Sequence, residues 1–241
     1  MDSTRRTATV TGIFFLVAAF PAMAALGLYQ PVLSDPEAYV AGAGPDTGVL
    51  VGAFLEILVA ASVIGTAVTL YPLVRRQHSG FALGYVTGRL LEATVIVVGA
   101  ISVLAIVTLR QDLAAAPGVD DGALAVVAQA LVAVHDWTFL VGPNFALGVN
   151  TLLLATLMYR SRLVPRAIAV LGLVGGPLIF ASATAVLLGL YDQVSVLGAL
   201  AALPVFAWEM SLALYLLAKG FRPGLLDRQP LAGGAVTPAP V

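Results

Sequence analysis

The chain has 241 residues, of which 60% are hydrophobic and only 10% are charged, whereas a soluble domain carries about 25% charged residues. This composition predicts an all-α, polytopic integral membrane protein, with the lipid bilayer as its main surroundings. The formal net charge of −1 gives no basic field for nucleic acid. The absence of cysteine excludes disulfides, thiolate metal sites and cysteine nucleophiles.

Apolar windows of membrane-spanning length recur along the chain and predict six transmembrane helices in one bundle. The predicted spans are 9–29, 48–73, 80–109, 138–159, 165–190 and 194–219. They form one membrane domain, 1–220. The segment 221–241, rich in proline, glycine and alanine, is expected to be a disordered cytoplasmic tail. The connection 30–47 has room for a surface turn or a short helix.

Two of these spans allow a second interpretation. The first contains Ala22-Met23-Ala24, which resembles the cleavage site of a secretory signal, but its apolar run continues through Leu28 and favours a retained span. The fourth apolar window, 122–159, would reach roughly 57 Å as a helix, against a hydrocarbon core of about 30 Å. We therefore assign 138–159 to the membrane. We expect 121–137 to be an interfacial helix or an extension of the same helix outside the core.

Basic residues alternate between the two ends of the predicted spans. Arg110 is alone on one side, and the other side carries Arg5, Arg6, Arg75, Arg76, Arg160, Arg162, Arg166, Lys219, Arg222 and Arg228. By the positive-inside rule, this distribution predicts a protein of the inner (plasma) membrane with both termini in the cytoplasm. Tyrosines at span ends predict an aromatic belt formed by Tyr29, Tyr71, Tyr159, Tyr191 and Tyr215.

Ionisable residues also occur within or beside the spans, namely Glu56, Arg89, Glu92, His135, Asp136 and Glu209. A charged group at the centre of a membrane helix costs about 2.5–3.5 kcal/mol on insertion scales, so these side chains should face protein or water. Arg89 and Glu92 share a helix face at i, i+3, and Glu209 lies at a similar depth. We expect Arg89 to be clamped by Glu209, Glu92 or both.

The charges of this set do not balance, because its carboxylates outnumber its basic side chains. Either some carboxyl groups are protonated or the site holds a cation. In span four, at about 100° per residue, Gln129, Asp136 and Asn150 form a polar stripe with Asn144 to one side. The stripe could line a wet cavity or form a hydrogen-bonded contact between helices.

Two rows of glycines lead to a glutamate, with Gly80, Gly84 and Gly88 before Glu92, and Gly48 and Gly52 before Glu56. Rows of small residues allow the backbone of a neighbouring helix to approach closely. These rows are either packing ridges with incidental acids or ridges that bring each carboxylate to a helix contact.

Few chemistries are compatible with the remaining residues. The predicted topology puts His78 and His135 on opposite sides, which excludes a bis-histidine haem and a zinc site with several histidines. A site of His135 with Glu56, Glu92 and Asp136 could hold a hard cation through oxygen ligands. We nevertheless predict no metal and no cofactor, and we assign no catalytic residue.

Four segments carry a resemblance to a known family. They are RLLEA (89–93), HDWTFLVGPNF (135–145), RSRLVPRAIAVLGLVGG (160–176) and EMSLALYLLAKG (209–220). They resemble blocks of a bacterial membrane family called domain of unknown function 4386. The resemblance implies a six-helix protein in which Glu56, Arg89, Glu92, His135 and Glu209 match the polar positions of the family. It implies no activity.

Three functional hypotheses remain open. The first is a small proton- or cation-coupled transporter, in which Glu92→Gln or Glu209→Gln abolishes transport. The second is a structural or accessory membrane protein in which the cluster joins helices, so that Arg89→Ala lowers the melting temperature. The third is a lipid-binding module or intramembrane enzyme, with a slot open to lipid between spans three, four and six. The glycine content is compatible with a homo-oligomer.

Overall fold

The computed structural model describes residues 3–113 and 120–222, and within these ranges all regular secondary structure is helical, as predicted. Six helical segments are long and apolar enough to cross a membrane. A further short helix lies in the first connection, where the sequence left room for one. The elements are α1 (Ser3–Ser34), α2 (Pro36–Val40), α3 (Asp46–Val74), α4 (Ser79–Leu113), α5 (Asp121–Leu140), a π-helical turn (Val141–Ala146), α6 (Leu147–Ser161), α7 (Arg166–Leu187) and α8 (Val196–Ala218).

The outer surface of the bundle is apolar where the surface of a soluble protein would be polar. Large apolar side chains are exposed along the middle of the long helices, including Val68, Leu90, Ile101, Val126, Val174 and Leu214. A helix that is apolar on all sides is typical of a buried or membrane-spanning segment. The outward side chains of these helices are therefore suited to contact with lipid hydrocarbon.

The spanning helices pack in chain order around a closed ring. α1 packs on α3, α3 on α4, α4 on α5 and α6, α6 on α7, α7 on α8, and α8 returns to α1. Arg5 stabilises the contact between α8 and α1. Its guanidinium donates to the backbone carbonyls of Leu217 at 2.6 Å and Leu216 at 3.2 Å. These carbonyls belong to the last turn of α8, where backbone acceptors run out of helical donors, and that of Leu216 also accepts from the Gly220 N–H at 3.1 Å. Arg5 therefore both caps α8 and closes the ring.

The closest backbone approaches in the ring lie at the glycines of α6 and α7. A Cβ on Gly176 would lie 2.8 Å from the Gly148 carbonyl oxygen, and a Cβ on Gly175 would lie 2.6 Å from the Val205 nitrogen. Small residues allow such approaches, and close packing is a main source of helix association in lipid. α7 is therefore held between α6 and α8.

The fourth span is one continuous helix that passes from α5 through the π turn into α6. Pro143 has no backbone N–H, so the Phe139 carbonyl loses its α-helical donor at this turn. The side-chain amide of Asn144 donates to that carbonyl at 2.9 Å. Of the two arrangements considered for 121–137, the structure has the helix that continues into the span.

The π turn overturns the polar stripe predicted for this span. In an uninterrupted α-helix, Asp136 and Asn150 would lie about 40° apart, at about 100° per residue. A π turn accommodates one extra residue, so the angle becomes about 140°. Accordingly Asn150 is buried, whereas Gln129 and Asp136 are exposed. The inward position goes instead to His135, which is buried.

Arg110, the isolated basic residue at its end of the bundle, is held by the first connection. Its guanidinium donates to the carbonyls of Gly42 and Gly44 at 3.0 and 2.9 Å and pairs with Asp46 at 3.1 Å. It also lies 4.7 Å from the ring centre of Tyr39, whose hydroxyl donates to Asp46 at 2.7 Å. Arg110 therefore fixes the end of α4 to the connection between α1 and α3.

The first residues of the predicted C-terminal tail are packed against the bundle. Phe221 is buried, and the backbone N–H of Arg222 donates to the Leu163 carbonyl at 3.1 Å. The rest of that tail, 223–241, lies outside the described residues.

Candidate functional site

The guanidinium of Arg89, on α4, lies inside the ring and pairs with two carboxylates. Nη1 donates to Glu92, one turn further along α4, at 3.1 and 3.2 Å. Nη2 donates to Glu209 on α8 at 3.1 Å. Arg89 is only 3% exposed. The predicted clamp is therefore confirmed, and both carboxylates take part in it. It joins α4 to α8, which are not neighbours in the ring.

Aromatic side chains complete the surroundings of Arg89. Its Nε donates to the Tyr85 hydroxyl at 3.4 Å, and that hydroxyl donates to Thr66 at 3.2 Å. The rings of Tyr85 and Phe15 lie 5.6 and 5.7 Å from the guanidinium carbon, within cation–π range. Each guanidinium nitrogen thus has a partner. Tyr85 precedes Arg89 by one helical turn, so this contact could have been predicted from its spacing.

Asn150, on α6, extends this group to a third helix. Its side-chain amide donates to Glu92 at 2.8 Å, so Glu92 accepts from both Arg89 and Asn150. The amide oxygen of Asn150 packs on Gly88, where a Cβ would clash with it. The glycine row of α4 therefore makes room for a side chain here, and not for a neighbouring backbone as the sequence suggested.

Glu56, on α3, is the centre of a second polar group. The Tyr29 hydroxyl donates to Glu56 Oε2 at 3.1 Å. His135 Nε2 lies 4.0 Å from Glu56 Oε1, which is too long for a direct hydrogen bond. The rings of Tyr29 and His135 meet edge to face, with their centres 5.5 Å apart. Tyr29 is fully buried, so its assignment to an aromatic belt is wrong.

His135 is the buried member of a pair of adjacent titratable residues. It is 3% exposed, and its Nδ1 has no hydrogen-bond partner within the described ranges. The nearest carboxylate oxygen to Nδ1 belongs to Asp136, at 3.6 Å, and the side chain of Asp136 is 63% exposed. Asp136 therefore lies outside the polar cluster to which the sequence analysis assigned it.

The hard-cation site considered from the sequence is not assembled. It required Asp136 to join His135, Glu56 and Glu92, and Asp136 faces outward. Across the described part of the chain, no group of three or more such ligands is placed to hold a metal ion.

The two polar groups border one cavity of about 220 Å³ at the centre of the ring. Glu56 and His135 lie on one part of its wall, and Arg89, Glu92 and Glu209 on another. Most of the remaining wall is made of aliphatic side chains from the surrounding helices, such as Ala18, Val59, Val63, Ile96 and Val205. The cavity thus combines a large apolar surface with two separate polar groups.

The most exposed residues of the cavity wall lie on α1 and α8, so we place the opening of the cavity between these helices. Two residues of its wall, Met23 on α1 and Phe206 on α8, are 53% and 40% exposed. The third hypothesis placed a lipid-facing slot between spans three, four and six, whereas this opening lies between the first and sixth spans.

A second cavity of about 210 Å³ shares Leu26, Phe139 and Ala202 with the first and continues to the connection between α7 and α8.

In the opposite direction the cavity is closed by a packed core. Phe15, Leu70, Tyr85 and Leu212 belong to this core and are fully buried. They lie between the cavity and the helix ends that carry most of the arginines, such as the end of α3 before Arg75. Within the residues that the structure describes, this packed core separates the cavity from the arginine-rich end of the bundle.

The predicted polar residues fall into three sets. Arg89, Glu92, Asn150 and Glu209 form the first polar group, and Glu56 and His135 belong to the second. Asp136 and Asn144 belong to neither, because Asp136 is exposed and Asn144 bonds the Phe139 carbonyl and lines the second cavity.

The apolar exterior, the six membrane-length helices and the buried charges define a multi-pass helical membrane protein. The family model described as Domain of unknown function (DUF4386) matches residues 10–220, so the chain belongs to this family and the resemblance is confirmed. No curated protein and no solved structure matches the chain.

Proposed function

We propose that this protein is a small proton- or cation-coupled transporter and that the central cavity is its substrate site. The observation that carries the proposal is this cavity, whose wall includes Glu56, Glu92, Glu209, His135 and Arg89. Ionisable groups inside a membrane bundle are costly, and they commonly mark ion or proton pathways. Three carboxylates against one arginine leave an excess of negative charge, which favours a cation or a bound proton.

The closure of the cavity towards the arginine-rich end of the bundle supports the transport proposal. A transporter exposes its site to one side of the membrane at a time. Here a second cavity shares Leu26 and Phe139 with the first and extends towards the α7–α8 connection, and the core around Leu70 and Tyr85 closes the other direction. This arrangement corresponds to one of the two states that alternating access requires.

Prolines near the cavity supply places where helices can bend. Pro21 lies in α1, Pro143 in the π turn and Pro204 in α8, and these are the helices that border the opening or face it. A proline removes one backbone hydrogen bond and favours a kink at its position. Movement of α1 and α8 about Pro21 and Pro204 would widen or close the opening.

We also propose that the protein lies in the inner (plasma) membrane with both termini in the cytoplasm. The support is the arginine-rich set of helix ends, of which Arg75 and Arg76 are one example.

The chain has no cysteine, so a single introduced thiol reports on one position. A membrane-impermeant maleimide applied to intact cells should label Ala43→Cys, and Ser79→Cys only after cell disruption. The reverse pattern would overturn this orientation.

Charge movement in proteoliposomes tests the transport proposal. Solid-supported membrane recordings would follow jumps in pH and in Na⁺, K⁺, ammonium and 2-phenylethylammonium concentration. We expect transient currents above those of protein-free liposomes for at least one of these jumps. We expect Glu56→Gln and Glu209→Gln to abolish the currents, because both carboxylates border the cavity. Asp136→Asn is the matched control, since it removes an exposed carboxylate, and its currents should equal those of the wild type.

Two results would contradict the proposal. One is a folded wild-type protein that gives no current in any of the jumps. The other is wild-type currents in both the Glu56→Gln and the Glu209→Gln variants.

A structural or accessory role is the second candidate, and the saturated surroundings of Arg89 favour it. Its guanidinium joins α4 to α8 and leaves no nitrogen free for a ligand. Under this candidate, none of the cations above would change the melting temperature or carry charge, and Arg89→Met would still destabilise the bundle.

A further inference from the structure

We propose that the cavity binds a small organic cation with an apolar body, that the cationic head lies at Glu56, and that the molecule reaches the site from the bilayer between α1 and α8. This inference rests on the transport function proposed above and names the class of substrate.

At the Arg89 end of the cavity, side chains of the protein itself accept all the hydrogen bonds that the guanidinium is placed to donate. Nη1 bonds Glu92, Nη2 bonds Glu209 and Nε bonds Tyr85, so the guanidinium has no donor directed at a ligand. An anion at this end would have to displace a buried carboxylate, at the cost of leaving that carboxylate unpaired. The geometry therefore disfavours an anionic substrate.

The Glu56 end is different, because its carboxylate has no permanently cationic partner within the described residues. It accepts a hydrogen bond from the neutral Tyr29 hydroxyl, and its contact with His135 is 4.0 Å long. An ammonium group placed here would form the charge-assisted hydrogen bond that Glu56 lacks. The ring of Tyr29 lies beside the same place, and aromatic faces attract organic cations.

The wall between the two ends selects an apolar body of limited size. The residues along it include Ala18, Val59, Val63, Ile96 and Val205, none of which carries a polar side chain. A dry cavity of about 150 Å³ accommodates benzene, and by proportion the 220 Å³ here accommodates roughly nine non-hydrogen atoms. A hydrated metal ion would leave this apolar surface unused.

The position of the opening indicates the route. Met23 and Phe206 border the cavity and are exposed on the outside of the bundle. Phe20 and Leu203, one turn from them on α1 and α8, are also exposed, so the opening lies among lipid-facing side chains. An amphipathic cation that partitions into the bilayer would meet the opening from the side.

Binding to the purified full-length protein in detergent tests the inference with three probes of matched shape. They are 2-phenylethylammonium, the neutral 2-phenylethanol and the anionic phenylacetate, measured by isothermal titration calorimetry at neutral pH. The ammonium compound should bind about tenfold more tightly than the alcohol, which is the difference between a charge-assisted and a neutral hydrogen bond. Phenylacetate should bind more weakly than either.

Two pairs of variants assign this preference to the cavity. Glu56→Gln should remove the preference for the ammonium compound over the alcohol, while Asp136→Asn should retain it because Asp136 faces outward. Ala22→Phe should weaken binding of the ammonium compound about tenfold by filling the cavity, and Ala24→Phe, which does not line it, should not. Melting temperatures measured in parallel identify any variant that is misfolded, and the Ala22 and Ala24 variants test the site independently of Glu56.

Three results would overturn the inference. They are binding of the alcohol or phenylacetate as tightly as the ammonium compound, an unchanged preference in Glu56→Gln, and no binding of any probe to the folded wild type. The transport proposal fails separately. Preferred binding of the ammonium compound without charge movement would overturn transport alone. Currents carried by protons or inorganic cations, with no binding of the probes, would overturn only the substrate class.

Discussion

Replacement of Arg89 by methionine should strongly destabilise the bundle. Methionine keeps much of the length of the side chain but removes the charge that Glu92 and Glu209 share. Removing one partner of a buried ion pair costs about 3–5 kcal/mol, because the other partner is left buried and unpaired. After the replacement, Glu92 retains only the amide of Asn150 as a donor, at 2.8 Å.

The magnitude should depend on how well each remaining carboxylate can reach water. The side chain of Glu92 is 5% exposed and that of Glu209 is 14% exposed, so Glu92 accounts for most of the loss. We therefore expect the free energy of unfolding to fall by about 3–5 kcal/mol in Arg89→Met. Arg160 is exposed, so in the control variant Arg160→Met the free energy of unfolding should change by less than about 0.5 kcal/mol.

Reversible unfolding in mixed micelles with increasing sodium dodecyl sulfate measures these values, with the fluorescence of the buried Trp208 as one probe. A double-mutant cycle of Arg89→Met and Glu209→Gln isolates the pair between α4 and α8. We expect a coupling energy of about 1–3 kcal/mol, since the two side chains are in direct contact. A loss below about 1 kcal/mol in Arg89→Met, or a coupling energy below about 0.5 kcal/mol, would refute the reasoning.

Two further predictions concern other parts of the bundle. Gly88→Ala places a methyl group against the Asn150 amide and should lower the free energy of unfolding by about 1–3 kcal/mol, whereas Gly27→Ala, with open space around it, should raise it by about 0.5–1 kcal/mol. Burial, together with the hydrogen bond to Asp46, raises the pKa of Tyr39 to about 12 from its ordinary value of 10.0. The folded state therefore binds the Tyr39 proton more tightly than the unfolded state, so this contribution to stability is complete below pH 10 and is lost as the pH rises to about 12. Melting curves should show the Tyr39→Phe variant losing less stability than the wild type over that range, and equal losses would contradict the assignment.

The parts of the fold that the sequence could predict are those set by the cost of moving groups out of water. Apolar segments of sufficient length predicted the six spans, because a bilayer of fixed thickness requires them. The pairing of Arg89 with Glu92 and Glu209 could be predicted in the same way. Moving a charged guanidinium out of water is costly, so a buried arginine requires a buried carboxylate as its partner.

The inward face of the fourth span could not be predicted from regular helical periodicity. Regular periodicity assumes the same rotation about the helix axis for every residue. The π turn at Pro143 contains one extra residue, so the assumption fails for residues on either side of it. The predicted polar stripe therefore included Asp136, whereas the side chain that faces inward is that of its neighbour His135. A Gly-Pro-Asn sequence inside an apolar helix was the available signal, because it removes a backbone donor at Pro143 and supplies a side-chain donor at Asn144.

The position of Tyr29 was also missed, for a different reason. A tyrosine near the end of a span suits the membrane interface, and composition alone does not distinguish that place from the interior. The deciding contact comes from another helix, where Gly52 leaves space for the Tyr29 ring and Glu56 accepts a hydrogen bond from its hydroxyl. Such a contact between α1 and α3 depends on how the two helices are rotated.

The π turn also determines which of two adjacent side chains of the fourth span faces the cavity. If the segment Val141–Ala146 changed to α-helix with α6 held in place, the preceding helix would rotate by about 100°, the angle of one residue. Asp136 would then occupy the angular position that His135 now holds beside Glu56. The π turn therefore gives the cavity an imidazole beside Glu56 in place of a further carboxylate, and it directs Asp136 to the outside of the bundle.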